Sequence, residues 1–217
     1  MSINELFKFD SSFKNIIIGT DEAGRGPAAG VVFAAAVYFP EPTNKLIKDL
    51  ARLNDSKKLS KKLREELFNI IKCNTINEII CVEVEEIERI NILNSSLKAM
   101  NLACQSVISR IQKKDNLLVL VDGNRLIKEF PYNQKTVVKG DSKSASIAAA
   151  SILAKVSRDR YMDKLAEEFP QYLWDKNAGY LTKQHIEAID KYGLTKYHRP
   201  SFLRKHFGDR DKGVKLI

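Results

Sequence analysis

The run NLLVLVD, residues 116–122, is apolar at every position between its first and last residues. A strand with no polar face has to be covered on both sides, so this chain needs helices above and below a sheet. Residues 15–20 and 30–39 read as two further strands, and the Gly- and Pro-rich turn between them returns the chain antiparallel. IICVEVEE, residues 79–86, alternates through Ile80, Val82 and Val84 and predicts another strand. TVVK, 136–139, predicts a short one. Helices are expected over 60–72, with Ser60 as N-cap, and over 95–113, where Leu97, Met100, Cys104, Val107, Ile108 and Ile111 share one face. A long helix is expected over 145–169, its first half rich enough in Ala and Ser to lie close on the sheet. Past Pro170 two short helices follow, over 182–191 and 200–206, joined by a basic loop. Strand hairpins followed by alternating helices and strands specify an α/β fold: a mixed sheet flanked by helices, with a C-terminal helical extension.

The chain of 217 residues is 44% hydrophobic, enough to build a core of its own. No apolar run approaches the ~20 residues that cross a bilayer, and MSINELFKFDSSFK lacks the apolar segment of a signal peptide. A cytoplasmic protein with no membrane association is expected, and nothing in the sequence requires more than a monomer. The formal net charge of +9 favours an anionic partner, and nucleic acid is the common one. Cys73, Cys81 and Cys104 show no CxxC pairing and are expected to be buried, reduced thiols. His185, His198 and His206 lack metal-ligand spacing.

Chemistry is concentrated in IIIGTDEAGRGPAAGVVFAAAV, residues 16–37. Asp21 and Glu22 sit side by side at the end of an apolar strand, directly before Gly24-Arg25-Gly26. Adjacent carboxylates at a buried edge are costly unless paired or metal-bound. The loop does not fit a P-loop, because Arg25 and Gly26 stand where Lys and Ser/Thr are needed. It does not fit a dinucleotide fingerprint either, because Pro27 and Gly30 lead into a strand and not a helix. Asp122 ends the buried strand, and Asp141 lies between a short strand and the long helix. Each acid alone is an ordinary turn former. Four at strand ends suit hard divalent cations, which take oxygen ligands from carboxylates and substrate phosphates.

GTDEAGRGPAAGVVFAAAV, LNDSKKLS, LVDGN, VVKGDSKSASIAAASILAKVSRDRYM and HRPSF together resemble ribonuclease HII, the type 2 ribonuclease H family, from about residue 15 to residue 204. The resemblance implies a ribonuclease H-like fold: an extension over residues 1–14, a catalytic domain over 15–170, and a helical segment over 171–217 that completes the substrate groove. It implies an endonuclease that hydrolyses RNA in RNA–DNA hybrids, including single ribonucleotides embedded in duplex DNA. The cut leaves a 3′-hydroxyl and a 5′-phosphate, and the cofactor is Mn2+ or Mg2+. The family's four carboxylates fall on Asp21, Glu22, Asp122 and Asp141. Its loop that reads the ribose 2′-hydroxyl falls on Gly24, Arg25 and Gly26, and its junction-sensing tyrosine on Tyr180. NAGYLT departs from the family around that tyrosine: Ala178 stands where a basic residue is usual, and Leu181 where Gly or Pro is usual.

Lys57 and Lys58 match the family's motif and are candidate phosphate contacts, as is Lys143 before the long helix. Arg199 is a further candidate, with a role in holding the C-terminal segment as the alternative. Asp159 reads as an ion-pair partner beside Arg158 and Arg160, and Trp174 as a core residue. Rival readings are a junction resolvase on the same fold, a non-catalytic hybrid-binding module, and a protein with a merely basic surface.

Overall fold

Apolar side chains on both faces of β1 (Ile16–Ala23) and β4 (Leu117–Asp122) place these two strands at the middle of a five-stranded sheet in the computed structural model. The structure describes residues 1–53, 59–112 and 114–207. The sheet order is β3-β2-β1-β4-β5, with β2 (Val32–Tyr38), β3 (Ile76–Val82) and β5 (Gln134–Val137) completing it. β1 runs antiparallel to β2 and parallel to β4, so the sheet is mixed, as expected. The hairpin residues pair in register from Ile18 with Tyr38 to Ala23 with Phe33.

The helices divide between the two faces. Around the sheet the chain adds α1 (Ile3–Ser11), α2 (Asn44–Asp49), α3 (Lys61–Asn74), α4 (Val84–Ile90), α5 (Ile92–Ser109) and α6 (Ala145–Glu168). Leu97, Met100, Cys104, Val107 and Ile108 of α5 meet Ile18, Val119 and Val121 on one face. On the other face Ala145, Ala148, Ala149 and Ile152 of α6 meet Ala35, Val37 and the apolar sides of α1 and α3. Ile3 and Leu6 of the N-terminal extension are buried in this second core.

The small residues at the start of α6 have a specific purpose. A Cβ on Gly19 would lie 2.2 Å from the Ser146 carbonyl carbon and 2.3 Å from the Ile147 nitrogen, so helix backbone rests directly on strand backbone. The helix start is held there by Asp10 of α1, whose Oδ2 accepts the Ser146 amide and hydroxyl, each at 2.9 Å. Burial raises the Asp10 carboxyl above its ordinary value, and the Ser144 and Ser146 hydrogen bonds oppose the rise.

Several elements differ from expectation. The third strand ends at Val82, and residues expected to extend it form α4. Val84 and Ile87 are its buried positions, three apart as one helix face requires, and Glu85 and Glu86 lie in its first turn, where the helix dipole favours acids. α5 starts earlier than expected because the Asn91 side chain accepts the Asn94 amide at 3.1 Å. β5 stops at Val137, and Lys139 turns into the left-handed region at φ +56°. Only Cys104 is a buried thiol, pushed up to about 12 by its burial; Cys73 and Cys81 are exposed.

After α6 come α7 (Trp174–Asn177), α8 (Lys183–Tyr192) and α9 (Pro200–Phe207). Met162, Tyr172, Trp174, Ile189 and Leu203 form a separate small core beneath them, with Trp174 buried as expected. Among the described residues no helix is long and apolar enough to cross a membrane.

The approach at Gly19 gives a stability prediction. Gly19→Ala must displace backbone rather than a flexible side-chain end, so it should cost about 3 kcal/mol or more, the upper range for overpacking. Urea denaturation measures this, and a loss below about 0.5 kcal/mol, the scale of a neutral surface change, would contradict the packing described.

Candidate active site

The carboxylates converge because of strand register. Ile16 to Thr20 of β1 pair with Leu117 to Val121 of β4 in parallel, so Asp21 and Asp122 come next on adjacent strands. Period-2 alternation turns both toward the α6 side, since Leu118 and Leu120 pack with Ile147 while Val119 and Val121 pack with α5. Glu22 falls on the opposite alternation and reaches the rim beside Leu93, Ser96 and Arg125. Thr20, on the α5 side with Ile18 and Cys104, is fully buried and donates its hydroxyl to the Ala35 carbonyl at 2.8 Å.

Asp21, Glu22, Asp122 and Asp141 line one cleft of about 380 Å³ together with Gly24, Arg25, Gly26 and Tyr180. Asp122 Oδ1 accepts the Gly140 amide at 2.6 Å, which ties the end of β4 to the turn carrying Asp141. Asp21 Oδ1 accepts the Glu22 amide at 2.7 Å. Glu22 pairs with Arg25 at 3.0 Å. Burial, then the charges of Glu22 and Asp122, raise the Asp21 carboxyl well above its ordinary value, against a hydrogen bond from Ser151. Burial also raises Glu22, and Arg25 offsets part of that rise. Crowded carboxylates of this kind present only hard oxygen donors, which suits a divalent cation of the magnesium or manganese type. Among the described residues no three His, Cys, Asp or Glu side chains are drawn together closely enough to hold a metal ion by themselves. The acids face an open cleft.

The loop between β1 and β2 is shaped from behind. Gly24 has φ +102°, and a Cβ there would lie 2.3 Å from Arg158 Nε. A Cβ on Gly26 would lie 3.2 Å from the Tyr180 ring, so Tyr180 forms the facing wall while remaining half exposed. Arg199, read from sequence as a possible phosphate contact, is fully buried. Its guanidinium donates to the carbonyls of Gly24, Pro27 and Gly30, each at 2.8 Å. It therefore holds the loop and does not face substrate, which corrects the phosphate-contact reading in favour of its alternative. Arg158 is buried beside it and donates to the Ala29 and Ala178 carbonyls at 3.2 and 3.1 Å. Burial pulls both guanidinium groups below their ordinary values, and for Arg199 the charge of Arg158 adds to the effect.

Lys143 is half-buried ahead of α6 and is not among the residues lining the cleft. Lys57 and Lys58 lie outside the described residues. Asp159 is an ion-pair partner as expected, though of Lys155 at 2.5 Å and Arg64 at 3.4 Å and not of its neighbours in sequence. Sequence reasoning missed Ser151, Lys155 and Arg158 as cleft-lining residues. Their spacing of four and three marks one helical face, which was the available signal.

Solved structures with this architecture define the class. Ribonuclease H2 from Pyrococcus horikoshii OT3 matches with a TM-score of 0.68 and 25% identity, over 87% of this chain and 95% of that one. Bst-RNase HIII, described in complex with Mn2+, shares the fold with a TM-score of 0.68 and 18% identity, over 97% of this chain and 70% of that one. The fold is therefore ribonuclease H-like, and the protein is a hydrolase of the nuclease class. The ribonuclease HII family model matches residues 18–209. A ribonuclease HII of Fusobacterium nucleatum subsp. nucleatum is 50% identical over 203 residues, covering 93% of this chain and 92% of the relative. This chain belongs to the ribonuclease HII family, endonucleases that act on RNA–DNA hybrids.

The raised carboxyls give a pH prediction. A carboxyl whose folded value lies above its unfolded value stabilises the fold at low pH and loses that contribution as pH rises through the folded value. Asp21→Asn should therefore raise the Tm of the metal-free protein at pH 8, with the gain shrinking toward pH 4. Thermal melts at several pH values test this, and an Asn variant less stable at pH 8 than the parent would refute the repulsion.

Proposed function

We propose that this chain hydrolyses RNA in RNA–DNA hybrids, and also cuts at a single ribonucleotide embedded in duplex DNA, on its 5′ side, leaving a 3′-hydroxyl and a 5′-phosphate. The observation that carries the reading is the meeting in one cleft of four carboxylates, a Gly-Arg-Gly loop and one half-exposed tyrosine. Asp21, Glu22, Asp122 and Asp141 would hold two divalent cations, Mn2+ or Mg2+, with substrate phosphate supplying further oxygen ligands. Bound there, such ions make water a stronger nucleophile and neutralise charge on the departing oxygen.

The chain's own residues do the rest. Gly24 and Gly26 let the loop backbone approach a ribose closely, because neither carries a Cβ. The 2′-hydroxyl they would meet is the group that separates RNA from DNA. Tyr180, against Gly26, would pack on the next sugar, where deoxyribose fits and an added hydroxyl does not. Arg25 holds Glu22 in place. Lys57, Lys58 and Lys143 would contact backbone phosphates, and residues 171–217 would form the groove wall around Tyr180 opposite the domain of residues 15–170. Binding should weaken with salt, in keeping with the net charge of +9. This chemistry would serve the removal of ribonucleotides from DNA, with the protein acting in the cytoplasm as a monomer.

The test is cleavage of a labelled DNA duplex carrying one ribonucleotide, with Mn2+ or Mg2+, with chelator, and beside an all-DNA control. A metal-dependent cut 5′ to the ribonucleotide and none in the control is the expected result. Cleavage confined to long hybrids would remove the junction-reading role of Gly24–Gly26 and Tyr180. Asp122→Asn keeps an oxygen for the Gly140 amide, so it should fold. Its rate should fall roughly a thousandfold, the loss expected when several kcal/mol of charge stabilisation disappear. A near-parental rate would end the metal assignment.

A further inference from the structure

Tyr180 is held by its backbone as well as by its ring. Its carbonyl accepts the Thr182 amide at 2.8 Å and faces His185 Nδ1 at 2.9 Å. His185 sits in the first turn of α8, its own amide fixed by the Thr182 hydroxyl, and its ring turns back toward the carbonyl. The ring is fully buried, as is that of His198.

The partners of these two rings allow one arrangement of protons. The Thr195 amide donates to His198 Nδ1 at 2.9 Å, so that nitrogen carries a lone pair and neutral His198 carries its proton on Nε2. His198 Nε2 lies 3.2 Å from His185 Nε2, and the Trp174 indole, a donor only, points at the same His185 nitrogen from 3.1 Å. Two N–H groups meet there, so His185 Nε2 must accept and the His185 proton is left on Nδ1. The Tyr180 carbonyl can only accept, which agrees. Burial pulls both imidazoles below the ordinary histidine value, His198 to about 3, so both rings are neutral near pH 7.

We propose that His185 is a positioning residue for Tyr180: its Nδ1–H, kept on that nitrogen by Trp174 and His198, fixes the Tyr180 carbonyl and thereby the ring that faces Gly26 across the cleft. The inference rests on the junction-reading role given to Tyr180 above. It makes His185 a determinant of selectivity between a ribonucleotide followed by DNA and one followed by RNA. Ala178 and Gly179 both have positive φ, +48° and +82°, and the Tyr180 amide bonds the Asn177 carbonyl at 2.9 Å, so the turn holds Tyr180 on its amide side and leaves the His185 contact to its carbonyl side.

Two measurements test it. Nitrogen-15 NMR of the wild-type imidazoles at pH 7 should find His185 protonated on Nδ1 and His198 on Nε2; His185 protonated on Nε2 would overturn the proposal whether or not any variant folds. The second compares kcat/KM on a single embedded ribonucleotide with kcat/KM on an uninterrupted hybrid, for Tyr180→Ala, His185→Leu and His185→Asn. His185→Leu should lower that ratio about tenfold, the scale of one hydrogen bond. His185→Asn, whose amide can donate from a similar place, should restore most of it. If Tyr180→Ala leaves the ratio unchanged, the reading of Tyr180 fails and takes this inference with it. If Tyr180→Ala collapses the ratio while His185→Leu preserves it, or lowers both rates equally, the positioning role alone is overturned.

Discussion

Thr20 pairs with Val121 across the parallel β1–β4 ladder, and the site depends on that register. A slip of one residue would turn Asp21 to the α5 side and set it among Leu97 and Met100. The register is secured on both sides. Thr20 uses its hydroxyl to bond β2, and Gly19 admits the start of α6 to backbone contact. The same α6 start, N-capped by Ser144, is also held by Asp10 of α1 through the Ser146 amide. The acids are thus placed by a rigid three-way junction of β1, β4 and α6, and the cost of crowding them is borne by the packing around Gly19.

Charge is arranged in depth around the Gly24–Gly30 loop. The carboxylates stand on its cleft side, Arg199 stands buried behind it, and Arg158, also buried, reaches from behind it to the cleft lining. Neither arginine forms a salt bridge among the described residues; both donate to backbone carbonyls, and Arg158 Nε and Arg199 Nη2 are left buried without a partner. A peptide plane with its oxygen turned to a guanidinium has its N–H turned the opposite way. Arg199 on the Gly24 carbonyl therefore fixes the direction of the Arg25 amide, which is how a fully buried residue can shape what the loop offers to a sugar. Breaking one partner of such a buried charge is costly because the rest is left unsatisfied.

Much of this was legible in the sequence. The NLLVLVD run specified a sheet covered on both faces, and the acids at strand ends marked the cleft, because strand period and burial are local signals. The misreadings share another cause. Val84 was read as strand because alternation over a few residues cannot tell a strand from the first turn of an acidic helix. The sequence leaves Arg199 open between a phosphate contact and a role in holding the C-terminal segment, because its partners are carbonyls of the loop after β1, remote in sequence and invisible in composition. Gly19 carries no sequence signal of its own, and only the position of α6 reveals a helix contact there. The His185–His198 pair was set aside for lacking metal spacing, which says nothing about hydrogen bonding between two neutral rings.

Ala178, the departure from the family pattern beside Tyr180, has a physical account. An L-residue in the left-handed region costs about 1–2 kcal/mol, and glycine would avoid that cost. Here the conformation is imposed by its neighbours: the Ala178 amide bonds the Trp174 carbonyl at 2.9 Å, and its carbonyl accepts from Arg158. Gly179 must then follow with φ +82°, since a Cβ would lie 2.7 Å from the Ala29 carbonyl oxygen, and its own carbonyl accepts the Ala28 amide. The strain at Ala178 is therefore held by the same arginine that backs Gly24. Loop and tyrosine share one support, so their spacing across the cleft is set as a unit and not by either segment alone.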